Sequence, residues 1–135
     1  MYKLEWKEEY SVGVKLFDDQ HKNLLSYLNK IIGIFNDSGS KEEVEKLLED
    51  LEQYAMTHFK TEEEVFDKYK YYGSEFHNQE HRLYENKIND FRTKFNASDE
   101  KVNTEVLEFL ADWLMGHIQG TDKEYKRFLN NNGVF

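Results

Sequence analysis

Residues 40–72 read SKEEVEKLLEDLEQYAMTHFKTEEEVFDKYKYY, and the spacing of the apolar residues in this stretch decides the fold. Val44, Leu47 or Leu48, Leu51 and Ala55 recur at intervals of three and four, and the row continues through His58, Glu62, Val65 and Tyr69. That period belongs to an amphipathic α-helix with one buried stripe. Ser40 can cap its start, with Glu43 three residues on as the capping-box partner, and Gly73 ends the run.

The same period extends on both sides. Upstream, Phe17, His21, Leu24, Leu28, Ile31 and Phe35 predict a helix over about 18–37, stopped at Asn36-Asp37-Ser38-Gly39, where Gly39 can take the left-handed capping conformation. Downstream, His77, His81, Tyr84, Ile88, Phe91 and Phe95 predict a helix over about 74–95. Asn96-Ala97-Ser98 separates it from a fourth helix over about 99–118, with Val106, Leu110, Trp113 and His117 on its inner face. A short helical tail around 123–130 runs into Asn130-Asn131-Asn132-Gly133. Residues 1–17 read as an ordered arm anchored by Trp6, Tyr10, Val12, Val14 and Phe17, and Tyr71 and Tyr72 read as surface aromatics. There is no proline to break a helix elsewhere. Short connections between four amphipathic helices predict an all-α, up-down-up-down antiparallel four-helix bundle with an N-terminal arm and a short C-terminal helix. At 135 residues this is one domain, 1–135.

Composition narrows the chemistry. A formal charge of −9 argues against nucleic-acid binding, which needs clustered Lys and Arg on phosphates. No run of 18 or more apolar residues is present, so no membrane insertion is expected, and an N-terminus without a signal-like apolar stretch leads us to expect a cytoplasmic protein. With no cysteine, any metal must be held by nitrogen and oxygen.

All five histidines can be placed on the buried rows. If roughly two positions in seven face a bundle core, five would all do so by chance about 0.2% of the time. Topology adds a second test. In an up-down-up-down bundle, the start of the first helix, the end of the second, the start of the third and the end of the fourth share one end. His21, His58 with Glu62, His77 with His81, and His117 occupy those four places. His58-x-x-x-Glu62 and His77-x-x-x-His81 are i,i+4 pairs on one helix face. His117 and Asp122 are five apart, roughly 140° around an unbroken helix, so a break at Gly116 or Gly120 is needed to bring Asp122 under the bundle. On local grounds alone Asp122 could equally cap the tail helix. Glu62 sits in an apolar row with no Lys or Arg beside it, an arrangement a cation would resolve. Imidazoles with two carboxylates suit iron, zinc, copper or nickel rather than calcium or magnesium. Seven groups exceed one ion, and two ions sharing both carboxylates and a solvent bridge leave one position open for a small ligand.

Together these motifs, with Trp6, Ser11-Val12-Gly13-Val14, Asp19-Gln20-His21 and the Gly120-Thr121-Asp122 turn, resemble the hemerythrin family, within it the single-domain bacteriohemerythrins, over nearly the whole chain. The resemblance implies two irons, one held by His77, His81 and His117, the other by His21 and His58. Glu62 and Asp122 would bridge them together with an oxo or hydroxo group. It also implies reversible O2 binding, as carrier, store or delivery protein, rather than an enzyme, with Phe59, Trp113, Leu114 and Ile118 lining the O2 pocket. Nitric oxide or small anions are further ligands for the open iron, and a monomer is expected. The competing readings are a di-iron redox enzyme, oxidase or peroxidase, and an O2 or NO sensor. Ferritin-like oxidases carry repeated Glu-x-x-His motifs, which this chain lacks.

Overall fold

The computed structural model describes residues 3–36, 40–95 and 100–135. The Gly39 cap and the Asn96-Ala97-Ser98 connector expected from sequence lie outside the described residues. A short 3-10 turn, Glu8–Tyr10, leads into α1 (Lys15–Asn36), α2 (Lys41–Tyr69), α3 (Ser74–Lys94) and α4 (Glu100–Gln119), followed by the short α5 (Thr121–Glu124) and α6 (Lys126–Asn131). Helix α1 packs on α2 and α4, and α3 packs on α2 and α4, which closes the square of a four-helix bundle. No described helix is long and apolar enough to cross a membrane.

The helix ends show where local signals prevail. Ser40 Oγ accepts the Glu43 N–H at 3.2 Å, as the capping motif predicts. Helix α1 starts at Lys15, three residues before the expected 18. Asp18 falls inside its first turn, and its carboxylate accepts from the Val12 N–H at 2.8 Å and the Ser11 hydroxyl at 2.6 Å. Helix α2 stops at Tyr69 rather than running to Gly73. Lys70 takes the left-handed conformation, φ 55°, and the Tyr71 N–H returns to the Phe66 carbonyl at 2.9 Å. Gly73 serves a different purpose. The Tyr71 ring folds over it so closely that a Cβ there would come within 2.8 Å of the ring. Tyr71 is therefore buried, against the expectation of a surface residue, while Tyr72 is 82% exposed.

Two apolar clusters result. The larger fills the bundle with Leu24, Leu28 and Ile31 of α1, Leu48, Leu51, Ala55 and Phe59 of α2, Tyr84, Ile88 and Phe91 of α3, and Leu107, Leu110, Leu114 and Ile118 of α4. The smaller joins the N-terminal arm to the C-terminal helices through Val12, Val14, Phe17, Phe66, Tyr71, Tyr125 and Leu129. Past Glu62 the buried row of α2 steps by four to Phe66, so Val65 and Tyr69, expected on that row, are only partly buried. The arm is tied down by Asn130 Nδ2, which donates to the Gly13 carbonyl at 3.0 Å, and by the Lys123 ammonium on the Glu9 carbonyl. A layer of polar side chains separates the two clusters.

Candidate metal centre

That layer consists of the seven residues singled out by sequence. His21, His58, Glu62, His77, His81, His117 and Asp122 are all buried. Helix α1 contributes His21, α2 His58 and Glu62 one turn apart, α3 His77 and His81 one turn apart, and α4 His117. Asp122 comes from α5. Helix α4 ends at Gln119, and Gly120 (φ −105°, ψ −90°) turns the chain so that α5 delivers Asp122 beneath the bundle. Of the two breaks considered from sequence, Gly120 is the one used, while Gly116 stays helical.

All five Nε2 atoms point inward at the two carboxylates. Asp122 Oδ2 lies 3.1 Å from His21 Nε2, while its Oδ1 lies 2.7 Å from His77 Nε2 and 3.0 Å from His117 Nε2. Glu62 Oε1 lies 3.0 Å from His58 Nε2 and 3.3 Å from His81 Nε2. Yet none of these nitrogens, and none of the four carboxylate oxygens, has a partner in hydrogen-bond geometry. Orphaned buried polar atoms are costly, and so dense a group of them requires an explanation. A metal supplies one. Cis ligands around an ion at about 2.1 Å are themselves about 3 Å apart, which is the spacing found here. The donors fall into two sets, Glu62, His77, His81, His117 and Asp122 in one, and His21, His58 and Glu62 in the other. Because Asp122 presents one oxygen to His21 and the other to His77 and His117, both carboxylates touch both sets.

Behind this layer, two imidazoles make a hydrogen bond at Nδ1 and a third lies near a carboxylate. His117 Nδ1 donates to Glu80 Oε2 at 2.6 Å, and His58 Nδ1 to Gln20 Oε1 at 2.6 Å. His81 Nδ1 lies 3.6 Å from Glu63, which is also held by Arg82 at 2.6 Å. Such outer partners fix the ring orientation and leave Nε2 free to ligate. Sequence reasoning missed Gln20, Glu63 and Glu80. It also missed Tyr125, a fully buried phenol whose pKa is raised well above its ordinary value by burial and by the Glu62 and Asp122 charges, so that it stays neutral. The i,i+4 pair Tyr125 and Leu129 in the tail was a usable signal for it.

The four expected pocket residues lie on the bundle side of the layer. Phe59 stacks on the His81 ring, centroids 4.0 Å apart and planes 9° apart. Trp113 stacks on His117 at 4.8 Å and on Tyr84 at 4.4 Å. Leu114 and Ile118 are buried in the larger cluster, as is Leu24, one turn after His21 and absent from the expected pocket set.

The comparisons agree with this geometry. The family model for the hemerythrin HHE cation binding domain matches residues 12–129. The bacteriohemerythrin of Methylococcus capsulatus is 34% identical over 117 residues, covering 87% of this chain and 88% of that protein. That of Clostridium acetobutylicum is 27% identical over 124 residues, covering 89% of this chain and 96% of that protein. The chain belongs to the hemerythrin family. A crystal structure of a wild-type hemerythrin superposes with a TM-score of 0.83 at 32% identity, over 93% of this chain and 97% of that one. A leucine-to-tyrosine variant of a hemerythrin gives 0.84 at 32% identity, over 94% and 97%.

The metal-free form of this hemerythrin balances its charges with protons. Burial is the largest influence on Glu62 and Asp122 and opposes their ionisation, but the surrounding imidazoles hold both well below the usual carboxylate range. Burial likewise pulls His117 down, yet Asp122, Glu80 and Glu62 outweigh it and push its pKa up to about 10. His58 is lowered, chiefly by burial. A histidine raised in the fold stabilises it fully below the unfolded value near 6.5 and loses that contribution as pH climbs through about 10. A lowered histidine destabilises the fold as pH falls below about 6.5. The metal-free protein is therefore expected to melt highest near pH 6.5 and lower on both sides. Metal loading should release protons up to about pH 10. Melting curves of chelated protein across pH, with calorimetry in two buffers of different ionisation enthalpy, measure both. A melting temperature that rises steadily from pH 6.5 to 9 would contradict the His117 assignment.

Proposed function

We propose that this hemerythrin holds two iron ions and binds O2 reversibly, as a carrier or store. The observation that carries this reading is the convergence of five imidazole nitrogens and two carboxylates, all buried and all without hydrogen-bond partners. His77, His81 and His117 would hold one iron, His21 and His58 the other, and Glu62 and Asp122 would bridge them together with an oxo or hydroxo group. Such a pair supplies two electrons to O2 on binding and takes them back on release.

The chain's own residues then decide between carrying O2 and consuming it. With these donors the three-histidine position would be filled, and the two-histidine position would be left with room for one small ligand. Phe59, Trp113, Leu114 and Ile118 surround the ligand side with carbon. They offer no acid, base or charge to drive a bound oxygen species onward, and they exclude the water that would exchange with it. The Nδ1 hydrogen bonds of His58 and His117 and the Phe59 ring stacked on His81 keep those rings from turning.

The deciding experiment is the visible spectrum of protein loaded anaerobically with ferrous iron, with iron counted per chain. Spectra are taken before air, after air and after the air is removed. Two irons and a colour that comes with O2 and fades on its removal are expected. A colour that persists until reductant is added would favour a redox enzyme. Within this reading, Leu114→Ala should cost about 2–5 kcal/mol of stability through the cavity it leaves. It should also speed spontaneous oxidation of the oxygenated protein by admitting water. An autoxidation rate equal to wild type, in protein shown by melting to have lost the stability, would remove Leu114 from the pocket.

A further inference from the structure

The two donor sets differ in what stands behind them. On the three-histidine side, Glu80 accepts a 2.6 Å hydrogen bond from His117 Nδ1. A glutamate carboxyl is ionised at neutral pH, so the group behind His117 carries a negative charge. Among the described residues no Lys or Arg forms an ion pair with Glu80. Glu63 stands behind His81 on the same side, but at 3.6 Å, too far for a hydrogen bond, and Arg82 at 2.6 Å, which also pairs with Glu85 at 3.4 Å, offsets part of its charge. On the two-histidine side, the partner of His58 Nδ1 is the neutral amide of Gln20, and His21 Nδ1 has no hydrogen-bond partner. The second layer therefore places its one hydrogen-bonded negative charge behind His117.

A carboxylate on Nδ1–H draws the proton toward itself and makes the imidazole a more basic, more electron-donating ligand. Electron donation favours the higher oxidation state. We infer that Glu80 is a positioning residue that, through His117, makes the three-histidine iron the first to lose an electron and keeps the two-histidine iron ferrous. This rests on the di-iron reading and deepens it. The position with room for a ligand then stays ferrous, the state that binds nitric oxide, even when one electron has been lost from the pair; O2, which takes two electrons, needs both irons ferrous. The redox step is an outer-sphere one. One ferrous ion becomes ferric, one ferricyanide becomes ferrocyanide, and no bond to protein forms or breaks.

Glu80→Gln tests it by keeping an oxygen acceptor in place while removing the charge. Gln20→Glu is the converse, placing a charge behind His58. Wild type and both variants are loaded anaerobically with 57Fe, and iron is counted. They are then oxidised with one equivalent of ferricyanide and exposed to nitric oxide. Mössbauer spectra report the ferrous and ferric fractions and the share of ferrous iron that has bound nitric oxide. A redox titration reports the first potential.

In wild type, nitric oxide should reach nearly all the remaining ferrous iron. In Glu80→Gln the ratio of nitric-oxide-binding to non-binding ferrous iron should fall about tenfold. The first potential should rise by roughly 59 mV, the one-electron equivalent of that factor. Gln20→Glu should lower the ratio as well, by favouring ferric iron at the two-histidine position. Unchanged ratios in both variants, at two irons per chain, would overturn the inference and leave the di-iron reading intact. Wild-type protein that never takes up two irons would overturn both, and the count reveals this before any oxidant is added. If Glu80→Gln loses iron, Gln20→Glu decides alone.

Discussion

Removing the metal is expected to lower stability by about 4 kcal/mol or more when the protein is compared with a form loaded at 1,000 times its dissociation constant. For a domain of this size that corresponds to a fall in melting temperature of roughly 10 °C or more. The reason lies in the polar layer. Without metal, the fold encloses two carboxylates and five imidazoles between two apolar clusters, with the inward-facing atoms unpaired. The carboxylates repel one another, and His81 and His117, both raised by these charges against the pull of burial, offset them by holding protons. Metal converts those unpaired atoms into ligands. The loss should be largest below the layer, where Tyr125, between α5 and α6, packs on Phe17 of α1 and Phe66 of α2 and where α5 carries Asp122. Amide exchange should therefore quicken first in α5, α6 and residues 12–17, before the middle of α1 and α2. Chelated protein that melts at the same temperature as loaded protein would mean that the donors pair among themselves, and the metal reading would lose its physical basis.

The metal layer was legible in the sequence because it obeys the period of the helices that build it. His58 with Glu62 and His77 with His81 are one turn apart, and the order of the helices carries the rest to one end. The outer partners obey no such rule. Glu80 lies on a face of α3 that looks solvent-directed, and only the packing of α3 against α4 sets it on His117. Gln20 precedes His21 in sequence but serves His58, 38 residues away. The same limit explains Phe66. A row can step by three or four, and whether Val65 or Phe66 is buried depends on the arm and the tail that cover α2 there. Two helix boundaries lie three residues from the expected positions, for a different reason. Gly73 was read as the stop of α2 but accommodates the Tyr71 ring, and α1 begins earlier than expected, with Asp18 serving the arm from inside its first turn.

On the di-iron reading, Gly120→Ala is expected to cut iron binding from two ions per chain to one or none. A Cβ on residue 120 would lie 2.9 Å from the Gly116 carbonyl oxygen. That oxygen is backbone in the last turns of α4 and accepts the Gly120 N–H at 2.9 Å, so it cannot swing away as a side chain could. Relief has to come from the turn itself, and the turn aims Asp122. Its carboxylate stands within 3.1 Å of nitrogens from three different helices. A displacement on the order of 1 Å would undo those approaches together, since ligand distances tolerate only about 0.2 Å. The crowding alone should cost the metal-free protein about 1–3 kcal/mol, as overpacking generally does. The loaded protein should lose more, because it loses its metal as well. Gly116→Ala is the matching control. A Cβ there meets nothing within 4 Å, and within a helix the exchange should stabilise by about 0.5–1 kcal/mol. Iron counts and melting curves of the two variants, loaded and chelated, separate the effects. If Gly120→Ala retained two irons and lost only the stability that crowding removes, Asp122 would not depend on this turn. The glycine would then matter for packing alone.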